Sequence, residues 1–310
     1  MCRRVFRSSR TRIVASTSAT AVSLLVTACA QTASPTGPSD SWVRKLPSWS
    51  PYVVLQPNHD ALPGYEQALT QLVNQHALLG ARIPLYGDGG SRSTVNLAAS
   101  LGLEVVGIIA NEDLLKPNSE EVFDHYAALY PEVRTFQVGN EITALLPRWS
   151  ISIEEYMDVL GRIYAHVAQH YPEVTLVSQS TVGSGEFGAH ELATMSLYLK
   201  MMGLSPRRLI VGINVYSLTA STIYANVIGK DLIGYRVWIM ESGVADQSQQ
   251  TTYVNRTYPR LRTLLRAERI YWYALWAGDV GGDSEFSLIK NPTRPPIVAG
   301  PLFRMLTDVE

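Results

Sequence analysis

Two stretches of this 310-residue sequence raise the same question. Residues 135–143 read T-F-Q-V-G-N-E-I-T, a run of β-formers that stops at Gly139 and then presents Asn140 and Glu141 side by side. Residues 236–244 read R-V-W-I-M-E-S-G-V, a second apolar run that finishes on Glu241 and is followed by Gly243. Burying a carboxylate without partners costs several kcal/mol, so each acid either caps something local or is held for use. Two carboxyl groups facing each other across one cleft can divide a task. One, protonated, gives its proton to a leaving oxygen, and the other, ionised, attacks carbon or activates water. Such a pair is the minimum equipment for breaking a glycosidic bond.

The rest of the chain has to bring the two acids together. From residue 51 onward, short β-branched runs alternate with amphipathic stretches, the pattern of βα units around a parallel sheet. Strands are predicted over 52–56, 81–86, 104–110, 133–139, 174–179, 209–215, 237–240 and 270–275. Most are continuous apolar runs, as strands buried on both faces should be. Asn118 with Glu121 and Ser152 with Glu155 have capping-box spacing. Gly80 and Gly203 stand where C-terminal caps belong. Eight units in roughly 260 residues predict an α/β fold, a single (β/α)₈ TIM barrel over residues 48–310.

Barrels of this kind build their sites at the C-terminal ends of the strands. Those ends carry Gln56, Asn58 and His59; Tyr86 and Asp88; Asn111 and Glu112; Asn140 and Glu141; Gln179 and Ser180; Asn214 and Tyr216; Glu241; and Trp276. The ring is polar and aromatic where the strands are apolar. Glu141 and Glu241 close the fourth and seventh strands, on opposite sides of the mouth. Arg82 shares an alternation face with Tyr86 and is the expected positive charge beside Glu241. Adjacent residues on a strand face opposite ways, so Asn140 and Glu141 can both serve only if the strand bends or bulges at its end.

Gly139-Asn140-Glu141 ending strand four, with Glu241 ending strand seven, resembles the clan A retaining glycoside hydrolases. The resemblance covers roughly residues 50–280. It implies a (β/α)₈ enzyme in which Glu141 is the acid/base, Glu241 the nucleophile, and Tyr216 a donor to the nucleophile. Asn140 would bind the sugar 2-hydroxyl, and Trp276 would form the aromatic platform under the sugar. Asn111, Asn214, Tyr86 and Arg82 complete the expected substrate-binding set, with no metal and no cofactor. Residues 85–88 (LYGD), 107–114 (GIIANEDL), 138–141 and 240–243 look similar to endo-β-1,3-glucanases, which favours a neutral β-glycan as substrate. The sequence departs from that family at Val244, where a tryptophan is expected. The interval from Glu141 to Glu241 is also short, implying trimmed loops over strands five and six.

A formal net charge of −1 gives no electrostatic footprint for nucleic acid. Residues 1–12 carry five arginines and no acid, and 13–28 form a short apolar run that ends V-T-A-C at Cys29. This resembles a bacterial lipobox. It implies a signal peptide over 1–28, lipidation of Cys29, a Ser/Thr/Pro/Gly tether to residue 47, and an exported, membrane-anchored protein in the cell envelope. Cys2 and Cys29 are the chain's two cysteines, so the mature chain would keep its thiol as an anchor. Arg3-Arg4-Val5-Phe6 looks like a twin-arginine signal, although Arg7 stands where that motif has an apolar residue. His166 and His170 have the spacing of a zinc pair but lack the glutamate between them. The competing class is a non-catalytic glycan- or solute-binding lipoprotein on the same scaffold. A solute receptor should show two lobes and a hinge, and a pseudoenzyme should lack one carboxylate, whereas both are present here.

Overall fold

The computed structural model describes residues 52–57, 61–143, 151–181, 185–278 and 282–308. Eight parallel strands pair in sequence order and close into a barrel. They are β1 (Tyr52–Val54), β2 (Gly80–Pro84), β3 (Glu104–Ile109), β4 (Thr135–Val138), β5 (Thr175–Thr181), β6 (Leu209–Asn214), β7 (Arg236–Ser242) and β8 (Ala267–Trp272). The helices between them are α1 (Leu62–Asn74), α2 (Arg92–Ser100), α3 (Asn111–Leu114), α4 (Ser119–Leu129), α5 (Ile153–His170), α6 (Gly185–Met201), α7 (Leu218–Asp231) and α8 (Gln250–Leu265). Beyond β8 come a 3₁₀ turn (Gly282–Phe286), the antiparallel pair β9 (Ile289–Lys290) and β10 (Val298–Ala299), and α9 (Pro301–Thr307). α9 lies against α8 and α1, in the place of an eighth outer helix. The fold is the expected (β/α)₈ barrel.

Strand alternation sorts the core into two layers. Val53, Ile83, Phe136, Val138, Val237 and Ile239 face outward and merge with the helices, while Val54, Val106, Val177, Ile210, Trp238 and Met240 fill the barrel interior. Near the end where the strands begin, the Arg269 guanidinium stacks 3.9 Å from the Trp238 ring centroid and 4.9 Å from that of Tyr52.

Two of the four cap expectations hold. Ser152 Oγ accepts from the Glu155 backbone while the Glu155 carboxylate accepts from the Ser152 backbone, a complete capping box. Gly203, at φ 65°, follows the end of α6. Asn118 is the N-cap of α4 but its amide donates to the Glu121 carboxylate instead, so the two side chains satisfy each other rather than the helix. Gly80 does not cap α1; it is the first residue of β2, and His76 takes the left-handed position at φ 53°. Gly80 is needed for closeness, because a Cβ there would lie 2.8 Å from the Glu104 carbonyl oxygen and from the Tyr52 ring.

Candidate active site

Strand alternation alone would leave one of Asn140 and Glu141 pointing away from the mouth. Thr135 and Gln137 alternate with the outward-facing Phe136 and Val138, and then the backbone turns. Gly139 adopts φ 77° and Glu141 φ 50°, both left-handed, and the Glu141 N–H donates to the Ser180 carbonyl at 3.1 Å. The turn brings Asn140 and Glu141 together into the wall of one cavity. Glycine adopts such a conformation at no steric cost, whereas a glutamate there is held against its preference.

Glu241 reaches the cavity by a different device. Val237 and Ile239 face outward and Trp238 and Met240 inward, so Glu241 should point at the helices. The β6–β7 register shifts between Ile213 and Asn214, setting Asn214 opposite Glu241, one residue further along than regular pairing gives. This bulge reverses the alternation. Glu241 faces the mouth, and Ser242 turns outward to the Tyr253 hydroxyl at 3.1 Å.

The two acids have different surroundings. Arg82, 1% exposed, donates from Nη1 to Glu241 Oε1 at 2.6 Å, from Nη2 to Asn140 Oδ1 at 2.8 Å and from Nε to Gln137 Oε1 at 2.7 Å. The Tyr216 hydroxyl donates to Glu241 Oε2 at 2.8 Å, and Asn140 Nδ2 approaches Oε1 at 3.3 Å. Burial and the facing Glu241 carboxylate hold the Tyr216 hydroxyl far above the ordinary phenol range, so it stays a donor. Glu141 instead accepts from Nδ2 of the buried Asn214 at 2.8 Å. One carboxylate therefore sits against a guanidinium and the other against an amide.

The cavity measures about 620 Å³, an ordinary size for a small-molecule site. Its lining includes Gln56, Arg82, Tyr86, Asn111, Asn140, Glu141, Tyr216 and Glu241 from the sequence-derived ring. Tyr86 is exposed at the rim, its backbone held by the Tyr130 hydroxyl. Asn111 lines the wall, but its amide is committed to the protein. Nδ2 donates to the Asn140 carbonyl at 2.8 Å and Oδ1 accepts from the Asn140 N–H at 2.9 Å, clamping the turn.

Trp276 does not line the cavity. Its ring packs edge-on against Tyr65 of α1, centroids 6.4 Å apart, in the layer between sheet and helices. β8 ends at Trp272, earlier than expected, and the aromatic residue that faces the cavity is Tyr273. Burial, with Asp283 and Glu241 nearby, pushes the Tyr273 hydroxyl up to about 12. Phe286, 6.1 Å from the Tyr273 ring, and Asp283 complete that wall. Gln179 also turns away, donating to Thr143 Oγ1 and to the buried Glu191 of α6. Sequence reasoning missed Gln137, although a polar residue inside an apolar strand is a visible signal. Tyr273, Asp283 and Phe286 follow the last strand, where no periodicity marks them.

His166 lies on the outer ring, 2.6 Å from Asp124 Oδ1, and its ring lies 4.6 Å from that of His170, tilted by 41°. Among the described residues no group of three or more His, Cys, Asp or Glu side chains is arranged to hold a metal ion. Asn58, His59, Cys29, the export signal and the tether lie outside the described residues.

No protein-family model matches this chain, and no curated protein sequence is detectably similar to it. Solved structures share its fold. A monomeric beta-xylosidase from Caulobacter crescentus CB15 superimposes with a TM-score of 0.62 at 11% identity, over 84% of this chain and 67% of that one. A family 51 alpha-L-arabinofuranosidase from Bifidobacterium longum gives 0.57 at 10% identity, over 84% and 72%. The beta-mannanase of Thermomonospora fusca gives 0.55 at 13%, over 79% and 84%. At these identities the likeness is one of fold: a (β/α)₈ barrel, here with Glu141 and Glu241 among the residues that line the cavity at the C-terminal ends of its strands.

Proposed function

We propose that this chain is a retaining glycoside hydrolase acting on β-glycosidic bonds of a neutral oligo- or polysaccharide, β-glucan-like chains favoured. The observation that carries the reading is the unlike pair in one cavity, Glu241 on the Arg82 guanidinium and Glu141 on the Asn214 amide. Two carboxyl groups in unlike environments are how one site runs acid and nucleophile together. In the first displacement Glu241 attacks the anomeric carbon as Glu141 protonates the departing oxygen. In the second, Glu141 takes a proton from water, which attacks the same carbon and frees Glu241. Asn140 supplies a contact to the sugar 2-hydroxyl beside the nucleophile. Arg82, the cation among the described lining residues, is committed to Glu241, which leaves no cation there to receive a uronate. Tyr86, Tyr273 and Phe286 offer ring surface to sugar C–H faces.

A panel of 2-deoxy-2-fluoro glycosides with good leaving groups tests this. The matching sugar should inactivate the protein stoichiometrically and leave an adduct on the peptide containing Glu241. The first-formed product should keep the β configuration. An inverted product, or no turnover across a broad set of β-glycans, would overturn the proposal.

We also propose that Cys29 is lipidated after export and that residues 30–47 tether the barrel to the envelope membrane. Cys29→Ser should move the signal-cleaved protein from the membrane to the soluble fraction at unchanged specific activity. A variant that stays membrane-bound after cleavage refutes the anchor.

A further inference from the structure

Gln137 lies at the centre of the site's wiring, yet the double displacement gives it no task. It is completely buried in β4, and its amide is spoken for at both ends. Oε1 accepts from Arg82 Nε at 2.7 Å, while Nε2 donates to the Gly139 carbonyl at 2.9 Å and to Ser180 Oγ at 3.0 Å. The amide cannot be reversed. Turned round, its NH₂ would meet the Arg82 donor and its oxygen would meet the Gly139 carbonyl.

We propose that Gln137 is a positioning residue that ties the two carboxylates into one unit. Through Arg82 it aims the cation at Glu241, and through the Gly139 carbonyl it fixes the left-handed turn that carries Asn140 and Glu141. Its neutrality is part of the task. Arg82 has three side-chain acceptors, and two of them, Gln137 and Asn140, are uncharged amides. They orient the guanidinium without drawing on its charge, which is left to Glu241. A carboxylate at 137 would share that charge and would set an anion against the Gly139 carbonyl. The other groups in the Glu241 neighbourhood are Tyr216 after β6, Glu141 and Asn140 in the turn after β4, and Tyr273 and Asp283 after β8.

The inference rests on the glycosidase reading of this cavity, so the test must let each fail separately. Gln137→Glu and Gln137→Met are compared with wild type by the pH dependence of kcat/KM on the best glycoside, with Tm measured alongside. In Gln137→Glu the acidic limb should move to higher pH by about one unit or more, because a second anion competes for Arg82. Gln137→Met adds no charge, so its limb should move less than that of Gln137→Glu. Its kcat should fall about 10- to 100-fold at nearly constant KM, since Arg82 and the turn lose their common partner. A Gln137→Glu profile that superimposes on wild type overturns the inference. So does a Gln137→Met protein with wild-type kcat, a result that remains readable if the Glu variant fails to fold. A wild-type protein that cleaves no glycoside removes the glycosidase reading instead. A ¹³C titration of the Glu241 carboxyl in wild type and Gln137→Glu then still decides the matter, and an unchanged titration overturns the role given to Gln137.

Discussion

Glu141→Ala should lose about 10²- to 10⁴-fold in turnover on a natural glycan, the usual worth of a positioned general acid–base, and far less on an aryl glycoside with an acidic phenol. The asymmetry follows from the site. Glu241 keeps Arg82, Tyr216 and Asn140 in the variant, because none of these contacts passes through the Glu141 side chain. An activated leaving group needs no proton, so glycosylation proceeds, while the water of the second step has no base. The intermediate should accumulate, and added azide should restore turnover by attacking it directly, giving a β-glycosyl azide from a β-glycoside. The alkaline limb of the pH profile should vanish with the group that produced it. Equal loss on activated and natural substrates, with no azide rescue, would mark Glu141 as structural.

Arg82→Met should damage both activity and stability. In the Arg82–Glu241 pair the guanidinium is buried and the carboxylate is largely so, with side-chain exposures of 1% and 12%. Removing one member of such a pair strands the other's charge, at about 3–5 kcal/mol. For a domain of this size that corresponds to a fall in Tm on the order of 10 °C. Activity should drop on the order of 10²-fold or more, the scale of losing one preorganised electrostatic contact. A double variant, Arg82→Met with Glu241→Gln, separates the two effects. It removes the stranded anion and should melt above the single Arg82→Met variant while remaining inactive. If the single variant melts like wild type, Glu241 is not relying on Arg82 in the folded state.

The eight strands were legible because each is a short apolar run, and a run buried on both faces needs no alternation to be seen. Arg82 was legible for the complementary reason: a charge inside such a run, on the face of Tyr86, has nowhere to point but the barrel interior. The polarity of the strand ends likewise exposed much of the lining of the cavity. What stayed hidden depends on backbone departures that side-chain patterns do not encode. The bulge that swings Glu241 inward is invisible in R-V-W-I-M-E-S-G. Trp276 was misread because a strand limit placed three residues late, at 275 rather than Trp272, shifts which aromatic meets the cavity. Asn111 and Asn118 show the limit of reading amides by type. Asn111, read as facing the substrate, has its amide on the Asn140 backbone, and Asn118, read as capping the α4 backbone, has its amide on the Glu121 side chain.

The left-handed turn at Gly139–Glu141 also bears on how this chain can change over time. At φ 50° an L-residue with a Cβ is disfavoured by about 1–2 kcal/mol, and glycine or asparagine would rest there more easily. Position 141 is thus a place where chain geometry and chemistry ask for different residues. A copy released from selection for chemistry would gain stability by drifting to Asn or Gly, both of which also discard the carboxyl. If Glu141 has the role proposed for it, the glutamate is kept for its carboxyl, against the drift that the backbone itself encourages.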